Sequence, residues 1–155
     1  MPTALVTGGA IRLGRSVALH LAGRGYNIAL QYCSSRESAE QTAIEVKNFG
    51  VQCKTYHADF TDFNSTPLLM DQVLADFNSI DLLVNSAANF IQKKIEETSN
   101  SELLDTININ LMAPFILMRE FKKKVNNGLI INILDERILR RVSTFGASKW
   151  PIRDS

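Results

Sequence analysis

Thr7-Gly8-Gly9-Ala10-Ile11-Arg12-Leu13-Gly14 stands between a short apolar run and a segment with helical spacing. A strand ending in such a loop offers the N–H groups of a helix N-terminus to a pyrophosphate, and Gly8 and Gly14 permit tight turning and close approach of backbone to ligand. A second set of phosphate-suited groups follows the next apolar run, in Gln31-Tyr32-Cys33-Ser34-Ser35-Arg36, with no acid before Glu37. NAD-selective domains carry Asp or Glu at this point to hold the free ribose. Arg12, Ser34, Ser35 and Arg36 supply two cations and two hydroxyls instead, which favours NADPH over NADH. The competing reading of Ser-Ser-Arg-Glu is a helix cap with Arg36 in solvent. Further along, Pro114 lacks an N–H, and the carbonyl four residues back belongs to Asn110. That freed oxygen could hold a water for a proton relay, or the proline could simply kink the helix.

These groups need a scaffold, and the sequence outlines one. Thr3 to Thr7, Asn27 to Tyr32, Val51 to His57, Ile80 to Asn85 and Leu129 to Leu134 read as five strands bounded by Gly, Asn, Asp or Ser. Between them, helical spacing links Leu13, Val17 and Leu21; Ala39, Ala43 and Val46; Leu69, Val73 and Phe77; and Leu103, Ile107 and Leu111. The alternation predicts an α/β fold with a doubly wound parallel sheet of the Rossmann type, strand order 3-2-1-4-5, in a single domain over residues 1–155. The fifth strand is apolar on both faces, as a strand covered on both sides should be. About twenty residues follow it without another strand pattern, so the expectation is an exposed edge and a domain incomplete at its C-terminus, its later strands missing.

The loop resembles the Thr-Gly-x-x-x-Gly-x-Gly pattern of the short-chain dehydrogenase/reductase family, with Arg12 at the middle glycine. That replacement is similar to the pteridine reductases and the bacterial dihydromonapterin reductases, in which the arginine serves NADPH. The resemblance implies an NADP(H)-dependent oxidoreductase moving hydride to a C=N or C=O bond. It makes Asp59 the acceptor for the adenine amine, against the alternative of a turn aspartate. It places Asn85, Ser86 and Ala87 along the cofactor, and Phe90 as a ring stacked on a pterin, against an ordinary core phenylalanine. It implies that Asn110 is the catalytic asparagine, and that Asp135, where most members have serine, orients the tyrosine and helps deliver a proton to the substrate. The family's Tyr-x-x-x-Lys pair is represented by Phe145-Gly146-Ala147-Ser148-Lys149, so the lysine that should hold the ribose is present without its tyrosine. The interval from Asp135 to Lys149 is shorter than the family's, so a small deletion accounts for the loss as well as a replacement does. The alternative function is a non-catalytic dinucleotide-binding remnant; reduction of oxoacyl-carrier-protein thioesters is a third reading, in a branch that keeps both serine and tyrosine.

Composition bounds the partners. The 155 residues carry 17 Lys+Arg against 16 Asp+Glu, a net charge of +1, which removes the electrostatic case for nucleic acid or an anionic membrane. No signal peptide or membrane span is expected. Cys33 and Cys53 are too few for a disulfide framework and lie at no metal spacing, so no metal is expected and the cytoplasm is the default address. The expected partner is a small molecule, in the pteridine-reductase reading a pterin, with homo-oligomers where the full-length fold is present.

Overall fold

A computed structural model describes residues 1–134. Five strands, β1 (Thr3–Val6), β2 (Asn27–Tyr32), β3 (Cys53–His57), β4 (Leu82–Asn85) and β5 (Leu129–Asn132), form one sheet in the order β3-β2-β1-β4-β5. Every neighbouring pair is parallel. The helices are α1 (Arg12–Ala22), α2 (Arg36–Lys47), α3 (Ser65–Phe77), α4 (Asn100–Ile107) and α5 (Ala113–Lys124), with a 3₁₀ turn over Ile95–Glu97 and a π-helix over Asn108–Met112. The expected order holds. β3, β4 and β5 are shorter than the apolar runs, because Val51 and Ile80 are buried ahead of the ladders and Ile133 follows β5 as a loop residue.

Successive side chains of a strand point to opposite faces, and the core divides accordingly. Ala4 and Val6, Ile28 and Leu30, and Leu82 and Val84 pack with Ala18, Ala22, Ala39, Ala43 and Val46 of α1 and α2. Leu5, Ala29 and Leu83 pack on the other face with Leu69, Val73, Leu117 and Phe121 of α3 and α5. Leu5 and Leu83 are fully buried, as expected of central strands covered on both sides.

β5 departs from the expected double cover. Leu129 and Ile131, register partners of Leu82 and Val84, are 60% and 39% exposed, whereas Ile130 packs into the α3–α5 core. Among the described residues, β5 is the outer strand and one of its faces lies open. The proposed active-site Asp135 and Lys149, and Phe145 in the tyrosine's place, lie outside the described residues.

Candidate nucleotide-binding site

At the carboxyl ends of β1, β2 and β4 lies an open cleft of about 800 Å³. That is the position where open α/β sheets bind ligands, and the volume is within the usual range for cofactor sites. Gly8, Arg12, Leu13 and Gly14 line it after β1; Ser34, Ser35 and Asp59 line it beyond β2 and β3; Ser86, Ala87 and Phe90 line it beyond β4.

The glycine loop packs closely on its own backbone and on the segment after β4. Gly8 has φ +62°, and a Cβ there would sit 2.8 Å from Cα of Ala87. A Cβ on Gly14 would sit 2.2 Å from the carbonyl oxygen of Gly8. At both positions the surrounding backbone leaves no room for a side chain, and both glycines line the cleft. α1 begins at Arg12 after Ile11, and no side chain caps it, so its first-turn amides are donors open to an anion. Arg12 itself has φ +51°, which explains why glycine suits this position and marks the arginine as a strained substitute.

Two residues outside the expected set organise the cleft. Thr7 Oγ1 accepts from the N–H groups of Ser86 and Ala87, both at 3.0 Å, joining the end of β4 to the start of the loop. Gln31, 2% exposed, accepts from Gly8 N–H at 2.8 Å through Oε1 and donates to the Ala58 carbonyl at 2.7 Å through Nε2. Thr7 stood inside the glycine motif and could have been singled out. Gln31 opened the segment that carries Ser34, Ser35 and Arg36, but nothing in the sequence gave it a role of its own.

The expected phosphate groups separate. Ser35 occupies the N-cap position of α2 but makes no cap bond, so its hydroxyl, like that of Ser34, stays on the cleft wall. Arg36 does not reach the wall: it is exposed and its guanidinium pairs with Glu40 at 3.0 Å, one helical turn on. Asn85 is not among the residues that line the cleft. It is still inside β4, so its side chain meets the neighbouring strand, where Nδ2 donates to Oδ1 of Asn132 at 2.9 Å. Its own Oδ1 is buried with no partner among the described residues.

Asp59 forms a turn and also lines the cleft. Its Oδ1 accepts from the N–H and hydroxyl of Thr61, forming a turn, while the residue remains on the cleft wall. Its charge and burial together raise the pKa of the Cys33 thiol nearby, burial contributing more. Cys53, deeper in the sheet, is pushed up to about 11 by burial.

Asn110 is fully buried within the π-helix. Its Nδ2 donates to the Asn89 carbonyl and its Oδ1 accepts from Asn89 N–H, each at 2.8 Å. The side chain is spent on holding the Asn89-Phe90 wall. The π register carries Ala113 N–H to the Asn108 carbonyl, five residues back, so the count of four that assigned the free carbonyl to Asn110 does not transfer directly. Among the described residues, no group of three or more His, Cys, Asp or Glu could hold a metal ion, and no helix is long and apolar enough to cross a membrane.

Residues 2–154 match the family model for short chain dehydrogenases. The 3-oxoacyl-[acyl-carrier-protein] reductase FabG of Staphylococcus aureus is 34% identical over 134 residues, covering 84% of this chain and 54% of the relative. The chain therefore spans about half the length of the curated relatives it matches. An NADPH complex of a blue fluorescent protein from a metagenomic library superposes with a TM-score of 0.91 at 29% identity, covering 97% of this chain and 64% of the other. An NAD⁺-bound xylitol dehydrogenase superposes at 0.87 with 27% identity, over 97% and 60%. The fold alone therefore does not choose between the two nucleotides. The parallel sheet, the loop at its carboxyl edge and the match over nearly the whole sequence agree, and this chain belongs to the short chain dehydrogenase family.

Proposed function

We propose that this chain binds NADPH and represents the nucleotide half of an oxidoreductase that moves hydride to a C=N or C=O bond. One observation carries the reading: Arg12, Ser34 and Ser35 line the same cleft at the end of β2. The nearest acid in sequence, Glu37, lies within α2 rather than at the strand end. The solved NADPH complex of similar fold supports it. In this reading the uncapped first turn of α1 takes the pyrophosphate, Arg12 and the two serines take the 2′-phosphate, and Asp59 takes the adenine amine. Bound nucleotide would supply the hydride. Asn110 would act by positioning the Asn89-Phe90 wall, and Asp135 and Lys149 would orient the proton donor and the ribose.

Two unpaired cysteines fit a reducing cytoplasm. For the substrate we favour a planar heterocycle of the pterin kind, because Phe90 borders the cleft on the side away from the adenine end. The identity to an oxoacyl-carrier-protein reductase favours a β-ketoacyl thioester as the second reading. A nucleotide-binding remnant without turnover is the third. Calorimetric titration of NADPH and NADH into the wild type and Arg12→Ala tests the cofactor reading. A clear NADPH preference that Arg12→Ala removes is expected, whereas equal affinities or an indifferent variant would end it. Competition for the NADPH-loaded chain between dihydrobiopterin and an acetoacetyl thioester separates the first two substrates.

A further inference from the structure

Gly8 N–H is not available to a pyrophosphate. It donates to Gln31 Oε1, while the next amide, Gly9 N–H, donates to the Gln31 carbonyl at 3.0 Å. The same carboxamide donates from Nε2 to Ala58 O, directly before Asp59. The Ala58 amide is bonded as well, to the carbonyl of Tyr32 at 3.0 Å. One buried side chain on β2 thus spans the interval between the glycine loop, where a pyrophosphate would sit, and the turn that forms the adenine wall. Both contacts need a group that accepts at one end and donates at the other, which a glutamine satisfies fully and a carboxylate or an alkyl chain does not. The carboxamide also holds Gly8 at a positive φ against Ala87.

Resting on the nucleotide reading above, we infer that Gln31 is a positioning residue for that site, fixing the distance between its phosphate loop and its adenine wall. It touches no reacting group; it acts by keeping two binding half-sites in one geometry, so that the two halves of a dinucleotide are recognised together.

Gln31→Glu tests this through protonation. A protonated glutamic acid has the shape and the donor and acceptor of glutamine, and burial raises its pKa. Once ionised it faces the Ala58 carbonyl with an acceptor and no donor. Affinity for NADPH should be near wild type at pH 5 and weaken about tenfold to a hundredfold by pH 8. The wild type, which has the same Asp59, Cys33 and His57 around the bridge, supplies the control profile, and circular dichroism at both pH values confirms that the variant stays folded. A reversible loss in the variant relative to that control supports the inference, and parallel profiles overturn it. Should the variant unfold at pH 8, hydrogen exchange on the wild type decides: a protected Gly8 amide that becomes fast in Gln31→Leu supports the bridge, and an unprotected one overturns it. A wild type that binds neither NADPH nor NADH overturns the nucleotide reading and this inference with it. A wild type that binds while Gln31→Glu follows it at every pH overturns the inference alone.

Discussion

Arg12 carries two opposed effects in one residue. Its φ of +51° costs about 1–2 kcal/mol in an L-residue with a side chain, a strain that glycine would not bear. Arg12 also lines the cleft, where the proposed reading gives its guanidinium to a phosphate. Arg12→Gly should therefore raise stability by about 1 kcal/mol in chemical denaturation while lowering the preference for NADPH over NADH; a gain in both, or a loss in both, would contradict the account. Gly14 behaves differently. Any Cβ there meets the Gly8 carbonyl, a backbone atom that cannot step aside. Gly14→Ala should lose about 1–3 kcal/mol and weaken binding of both nucleotides alike, measured by thermal unfolding and by titration. The glycine motif and Arg12 were legible in the sequence because the loop's chemistry is local. Gln31 and the true partner of Asn85 were not, since each depends on which strand lies alongside.

The five strands could be read from apolar runs, because a sheet covered by helices on both faces leaves little room for polar residues, and their order followed from the Rossmann-type fold rather than from the runs. The π-helix could not: nothing in Asn108-Ile109-Asn110-Leu111-Met112 announces a change of register, which arises from how the helix meets the Asn89 loop. α4 carries a titratable group in its cap. It is capped by Ser99, whose hydroxyl accepts from Glu102 N–H while the Glu102 carboxylate accepts from Ser99 N–H and pairs with Lys93. Lys93, followed by the two Ser99 bonds, holds the Glu102 carboxyl down to about 2 from an ordinary value of 4.5. A folded pKa below the unfolded one stabilises above the unfolded value and is lost as pH falls through the folded one. α4 should consequently loosen between about pH 4.5 and 2: its amides should be better protected in wild type than in Glu102→Gln above that interval, and the difference should vanish below it. Ser99→Ala should cost about 1 kcal/mol at neutral pH, and an unchanged midpoint of unfolding would count against the cap.

For the whole molecule, binding and turnover are distinct properties of this chain. In the described structure the glycine loop, the uncapped start of α1, Arg12, Ser34, Ser35 and Asp59 line one cleft, which the proposed reading gives to the nucleotide. The proton-donating end is another matter. None of Tyr26, Tyr32 and Tyr56 has a lysine four residues on, and the residue four before Lys149 is Phe145, which has no proton to give. A hydride can be delivered usefully only if the receiving group gains a proton in step, and a missing positioned acid usually lowers the rate about a hundredfold to ten-thousandfold. The chain should accordingly bind NADPH yet oxidise it at no more than trace rates with dihydrobiopterin, dihydrofolate or an acetoacetyl thioester. A version with tyrosine and family spacing restored ahead of Lys149, extended to the length of its relatives, should gain turnover without a matching gain in NADPH affinity. Stopped assays following NADPH absorbance, beside titrations of the same samples, separate the two quantities. Turnover by the unaltered 155-residue chain at a rate ordinary for an enzyme would show that Asp135 or water supplies the proton, and the tyrosine argument would fall.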